Sequence, residues 1–142
     1  MLKGISKLLS PELLKILMEM GHGDEIVIAD GNFPAASIAQ RLVRLDGHPV
    51  PPILDAVMEL FPLDTFVDHP VALMSVVPGD NYEPDIWPVY EEVIKKHEPH
   101  FRGFEQMERF AFYERSKKAY AVVATGEMAR YANLILKKGL IQ

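Results

Sequence analysis

His22 sits in Gly21-His22-Gly23-Asp24, with a glycine on either side. Flanking glycines strip away local cover and admit backbone angles closed to other residues. Histidine changes charge near neutral pH, so an exposed one there is a natural proton donor and acceptor. The same tetrapeptide also reads as the end of a helix, where the dipole favours a histidine. Asp30 closes the apolar run Ile26-Val27-Ile28-Ala29 and precedes Gly31-Asn32-Phe33-Pro34. A carboxylate in that place can accept two hydroxyl protons at once, or it can shape the turn and cap the next helix. Phe33 offers an apolar wall for a ligand, or simply core. Tyr131-Ala132-Asn133 brings a phenol and an amide, both suited to hydroxyl groups and both common at strand edges. Arg109-Phe110-Ala111-Phe112-Tyr113-Glu114-Arg115 mixes cations with aromatic rings. Such a mixture can bind nucleic acid by stacking and phosphate contacts. It equally describes an amphipathic helix with rings inward and charges in water, and one arginine at the edge of a pocket fits that second description.

Other chemistries find no support. His97-Glu98-Pro99-His100 lacks the zincin spacing, and its proline breaks the helix that would bring the two imidazoles together. There is no GxGxxG, no P-loop and no GxSxG elbow. With no cysteine in the chain, disulfides, thiolate metal sites and cysteine nucleophiles are excluded. Net charge is −5, from 20 acidic and 15 basic residues, which favours a neutral ligand over nucleic acid.

Apolar spacing predicts the elements that must carry these groups. Ser10-Pro11-Glu12 starts a helix whose stripe is Leu13, Leu14, Leu17 and Met18, with Gly21 as its stop. Residues 25–30, 72–77 and 120–125 are apolar without alternation, which predicts strands buried on both faces, and 133–137 predicts a fourth, shorter strand. Residues 35–43, 52–60, 84–97 and 107–118 read as helices. Strands alternating with helices predict an α/β fold: a three-layer sandwich with a mainly parallel, mixed sheet and helices on both faces. In such sheets ligands gather beyond the carboxyl ends of strands. Asp30 and Thr125-Gly126 occupy that kind of position.

At 142 residues, one domain spanning 1–142 is expected. The start of the chain shows no signal peptide and no apolar run approaches the length of a membrane span, so the expected location is the cytoplasm, away from membranes.

The chain resembles the RbsD/FucU sugar mutarotase family along nearly its whole length. Leu2-Lys3-Gly4-Ile5 and Leu9-Ser10-Pro11-Glu12-Leu13-Leu14 are similar to the family start, and Met20 to Ile26 to its histidine loop. Asp30 to Pro34 is similar to its DAxxP segment. Arg109 to Arg115, Gly126-Glu127 and Tyr131 to Gly139 are similar to its C-terminal signature. Phe33-Pro34-Ala35 and the Arg109–Arg115 block look like the L-fucose branch rather than the D-ribose branch. Gly31 and Asn32 depart from it, standing where alanine and histidine are expected. The resemblance implies interconversion of the α and β anomers of a reducing monosaccharide, L-fucose, with no cofactor and no metal. It implies His22 as acid/base with Tyr120 as a second proton-transfer group. Asp30, Arg109, Tyr131 and Asn133 become sugar ligands, with the main chain at Ala132 beside them. Alternatives of other classes are a ribose pyranase and a non-catalytic sugar-binding scaffold.

His22 precedes the first strand and Asp30 ends it. At ~3.3 Å per residue, even a six-residue strand separates them by more than one monosaccharide. Either the strand is shorter and the loops fold inward, or one pocket takes His22 and Asp30 from different chains; the expectation is the second, a pocket at a subunit interface. This agrees with the homo-oligomeric ring, a decamer among its candidate sizes, that the resemblance implies.

Overall fold

A computed structural model describes all 142 residues. Its elements, in chain order, are α1 (Pro11–Glu19), β1 (Glu25–Ala29), α2 (Ala35–Ile38), β2 (Leu42–Leu45), α3 (Val50–Met58), β3 (Val71–Met74), α4 (Ile86–His97), β4 (Glu105–Met107), α5 (Arg109–Lys118), β5 (Ala121–Thr125) and β6 (Leu134–Lys137).

The four apolar runs do supply strands, because each hides both faces, but the one read over 72–77 is a strand only from Val71 to Met74, and residues 75–77 leave the sheet where they are no longer buried. In β1, Ile26 and Ile28 point into one cluster of buried side chains while Val27 and Ala29 point into another. β6 divides the same way, with Leu134 and Leu136 on one side and Ile135 on the other. The first cluster is filled by α1 (Leu13, Ile16, Leu17), α3 (Ile53, Leu54, Val57) and α4 (Tyr90, Ile94). The second is filled by α2 (Ala35) and α5 (Phe112). Helices thus cover both faces, giving the three layers that the alternating pattern predicts.

The strand order is β2-β5-β1-β6-β3-β4. β1 is parallel to β5, β2 to β5 and β3 to β4. β6 alone is reversed, running antiparallel to β1 on one side and to β3 on the other. That reversal brings the start of β6 to the edge where β1 ends, so Asn133 comes to lie beside Asp30.

Two edge strands depart from the sequence expectation. Residues 35–43 read as one helix, but only Ala35–Ile38 is helical, and Leu42–Leu45 pairs with β5 as β2. β4, with sequence Glu-Gln-Met, has no apolar run to announce it. Elsewhere the helix limits fall within about two residues of those read from spacing. Helix α1 begins as predicted, with the Ser10 hydroxyl accepting the Leu13 N–H at 3.2 Å. It ends at Met20 rather than Gly21, and Lys138 Nζ donates to the Leu17 and Met20 carbonyls. Of the two glycines beside His22, only Gly23 takes a positive φ, at 89°.

Arg115 closes the amino-terminal edge of the sheet. Its guanidinium reaches Glu25 on β1 and Glu105 on β4, and the hydrogen bond to Glu25, partly offset by burial, raises the arginine pKa further. Arg115 is therefore a structural clamp and not a pocket residue. No helix is long and apolar enough to cross a membrane.

Candidate active site

Beyond the carboxyl end of β1 lies a cavity of about 240 Å³. Asp30, Arg109, Tyr131 and Asn133 all line it, together with Phe33, Asn32, Met74, Val77, Tyr113 and Arg130. Four of the residues expected to hold sugar hydroxyls are thus brought together from three distant stretches of chain.

Asp30 is held by its neighbours. Its backbone N–H donates to the Asn133 side-chain oxygen at 2.7 Å, and its carboxylate accepts the Asn32 N–H at 3.0 Å. Asp30 is 8% exposed. Burial pushes its pKa up from 3.8, and the charge of Glu127 adds to this. The main-chain N–H groups of Asn32, Ala132 and Phe33 act in the opposite direction without cancelling it. A carboxylate so placed is poorly solvated and gains from any hydroxyl that donates to it.

Tyr131 adopts φ 56°, the one non-glycine residue in the left-handed region. The surroundings hold it there. Its phenol donates to Asp80 at 2.7 Å and accepts the Val77 N–H at 3.3 Å, while its carbonyl accepts the Trp87 indole N–H at 2.7 Å. The hydrogen bond from Tyr131, helped by Arg130, keeps the Asp80 carboxyl below its ordinary range. Backbone strain of this kind collects at functional sites where neighbours over-determine it. Ala132 is fully buried, and its carbonyl accepts the Tyr90 hydroxyl at 2.7 Å. Its side chain does not line the cavity, and its main-chain N–H acts only to hold the Asp30 pKa down.

Arg109 opens α5 at the cavity rim, its Nε donating to the Tyr113 hydroxyl at 3.2 Å. Phe33 meets Tyr113 and Phe112 edge-on, forming an apolar wall. Gly31 lies against the chain after β5: a Cβ on it would be 3.2 Å from the Glu127 carbonyl oxygen. Alanine, the residue expected there, would force that carbonyl to yield slightly. Thr125 ends β5 at the same edge, but its hydroxyl donates to the Ala29 carbonyl at 2.7 Å and so faces the fold.

His22 and Tyr120 lie elsewhere. Both precede strands, at the amino end of the sheet, and β1 separates them from Asp30 by roughly 17 Å of strand. His22 Nε2 is 3.1 Å from Asp64 Oδ1, and the imidazole lies 5.2 Å from the Phe66 ring. Tyr120 carries the Arg41 guanidinium 3.8 Å above its ring and makes no hydrogen bond to His22. The single chain thus divides the expected set: hydroxyl ligands at one end of the sheet, proton-transfer candidates at the other.

Sequence reasoning misses Arg130, Tyr113 and Asp64. Arg130 lies in an unpatterned loop, Tyr113 is one ring among several in a helix, and Asp64 sits 42 residues from His22 in sequence. No local signal marks any of them.

Comparison with known proteins gives a consistent result. The family model described as "RbsD / FucU transport protein family" matches residues 3–141. An L-fucose mutarotase of Actinobacillus pleuropneumoniae is 51% identical, over 99% of this chain and 97% of that one. The human fucose mutarotase is 52% identical, over 99% and 94%. A crystal structure of the fucose mutarotase from Streptococcus pneumoniae in complex with L-fucose superposes with a TM-score of 0.95 at 53% identity, covering 99% of this chain and 100% of that chain.

Proposed function

This chain belongs to the RbsD / FucU family, and from that premise we propose that it is an L-fucose mutarotase, an isomerase interconverting the α and β anomers of the free sugar. The observation that carries the reading is the cavity beyond β1. There a buried carboxylate, a guanidinium, a phenol and an amide converge on a volume suited to one monosaccharide, in a chain more than half identical to named fucose mutarotases.

The reaction needs a proton delivered to the ring oxygen and one removed from the anomeric hydroxyl. The ring C–O bond breaks, the aldehyde turns about C1–C2, and the hydroxyl recloses on its other face with both protons returned. Asp30 accepts from sugar hydroxyls, Arg109 and Asn133 donate to their oxygens, and Phe33 lies against the apolar face. His22 transfers the proton, with Tyr120 as a second candidate. These groups can meet only if two chains build one pocket, His22 and Tyr120 from one and Asp30, Arg109, Tyr131 and Asn133 from the next. Exposed aromatic groups at both ends support this: Phe66 beside His22 is 69% exposed, and Phe110 beside Arg109 is 66% exposed. A head-to-tail contact of that kind generates a closed ring when its rotation permits. The proposed location is the cytoplasm.

The test is magnetisation transfer between the α and β anomer resonances of L-fucose, with and without protein, and with ribose and galactose in parallel. Acceleration on fucose is expected. Acceleration on ribose alone would keep the family and refute the fucose assignment. No effect on any sugar by folded, oligomeric protein would leave a binding scaffold.

Asp30 adds a pH dependence. Its ionised form is the hydroxyl acceptor, and its pKa is raised above 3.8. Sugar affinity should therefore fall, as pH is lowered, at a higher pH than an ordinary aspartate would give. Titration with L-fucose, read by fluorescence of the lone tryptophan, Trp87, checks this within the range where circular dichroism stays native. Affinity that stays flat down to an ordinary aspartate's pKa of 3.8 would refute it.

A further inference from the structure

We propose that Asp64 is a positioning residue for His22, fixing which imidazole nitrogen carries the proton and which faces the sugar. The inference rests on the reading of His22 as the acid/base. Asp64 is 4% exposed, yet the oxygen that accepts the Phe66 N–H at 3.0 Å also meets His22 Nε2 at 3.1 Å. Burial alone would raise the Asp64 pKa. The Phe66 amide, the His22 ring and the charge of Lys137 outweigh it, so the carboxyl ionises below its ordinary range and is an acceptor at neutral pH. An ionised acceptor there requires Nε2 to be the N–H of the neutral ring. Nδ1 makes no hydrogen bond within the chain and remains available as the lone-pair nitrogen. Phe66 packs on the ring from the side, limiting its rotation.

The backbone sets this pair before any ligand arrives. Asp64 N–H donates to the Lys137 carbonyl at 3.0 Å and Gly23 N–H to the Lys138 carbonyl at 2.8 Å, so the two loops are fastened to neighbouring residues where β6 ends. Gly139 then passes so close to the Asp64 segment that a Cβ would be 2.5 Å from the Leu63 carbonyl oxygen. Asp64 also closes a local turn through Phe66, which is the purely structural job it could do alone. The histidine contact is additional to that job, and a carboxylate that orients a catalytic imidazole in this way selects its tautomer.

The experiment compares wild type with Asp64→Ala, Asp64→Asn and His22→Ala as full-length oligomers. Two quantities are read: kcat and KM for L-fucose anomer exchange, and the ring-nitrogen signals of His22 in solid-state NMR of ¹⁵N-histidine-labelled protein, assigned by their loss in His22→Ala. Asp64→Ala should lower kcat roughly 10–100-fold, with KM changed less than about twofold, and should redistribute the protonated and lone-pair signals between the two nitrogens. Asp64→Asn keeps an oxygen for Phe66 and His22 without the charge, and should lose less. It also carries the test if the alanine variant does not fold. Folded Asp64 variants with native kcat, or with an unchanged ring-nitrogen pattern, would overturn the inference while leaving His22 as the acid/base. Native exchange by His22→Ala would overturn that reading and the inference with it.

Discussion

His22→Ala is expected to slow L-fucose anomer exchange by roughly 10²–10⁴-fold, the usual contribution of one positioned acid/base group. The fold should survive, because the His22 side chain is 38% exposed and its one polar partner is Asp64. Asp30→Ala should be comparably inactive for a different reason, loss of sugar binding. The larger effect should appear when the two inactive proteins are unfolded together and refolded as an equal mixture. If His22 and Asp30 of one pocket come from neighbouring chains, each pocket draws its two halves independently, and about a quarter of pockets regain both native residues. If one chain supplied both, every pocket would stay defective and the mixture would be as inactive as its components. Exchange rates before and after mixing, at fixed protomer concentration, decide between about a quarter of native activity and none. The structure favours the first result, since one five-residue strand, β1, stands between the two groups in the same chain.

Gly126→Ala is expected to be among the most damaging single-methyl changes available. Gly126 follows β5 and presses on the turn before α3. A Cβ there would lie 2.1 Å from the Asp46 carbonyl oxygen and 3.1 Å from its carbon. Backbone, not a flexible side-chain tip, is what it would strike, so relief requires moving one of two hydrogen-bonded segments. Gly126 N–H donates to the His48 carbonyl at 2.9 Å, and Glu127 caps α3 by accepting the Val50 N–H at 3.1 Å. Displacing this segment also displaces the Glu127 carbonyl, which accepts the Gly31 N–H next to Asp30. The expected loss is on the order of 3 kcal/mol of stability, with sugar affinity reduced in the protein that still folds. Gly47→Ala is the control. Nothing lies within 4 Å of its Cβ, and its stability should change by less than about 0.5 kcal/mol. Denaturant unfolding at one protomer concentration measures both, and a Gly126 variant as stable as the Gly47 variant would show that the two segments separate freely.

The buried parts of this fold were legible because burial on both faces leaves a continuous apolar run. β1, β3, β5 and β6 each show one, and each lies inside the sheet. β2 and β4 are the two edges. An edge strand needs no such run, and Leu42–Leu45 buries only Val43, so its residues merged with the helix before them. The site divides along the same line. Asp30, Tyr131 and Asn133 adjoin apolar strands whose ends the sequence marks, and they share one cavity with Arg109. Arg130 and Asp64 matter through partners far off in the chain, Asp80 and His22, and no spacing rule reaches across 50 or 42 residues. Placing His22 and Asp30 on opposite sides of β1 needed only the rise of a strand. That a second chain must close the gap is an inference from that distance.

The reversed strand β6 has a consequence for the order in which the molecule can be completed during synthesis. It is the only link between two half-sheets, β2-β5-β1 and β3-β4, and it comes after all five other strands in the chain. A chain emerging from the ribosome amino end first can pair β3 with β4 early, whereas β2 and β1 must wait for β5, which lies between them, and the two halves cannot join until residues 134–137 appear. Until then the inner edges of β1 and β3 are open rows of unpaired peptide groups on the most apolar strands of the protein, ready templates for another chain. Seating β6 closes both edges in one step and sets Asn133 beside Asp30. The nascent protein therefore passes from its most adhesive state to one with the cavity beyond β1 formed in a single late event. Any delay in that stretch lengthens the interval in which chaperones must shield it.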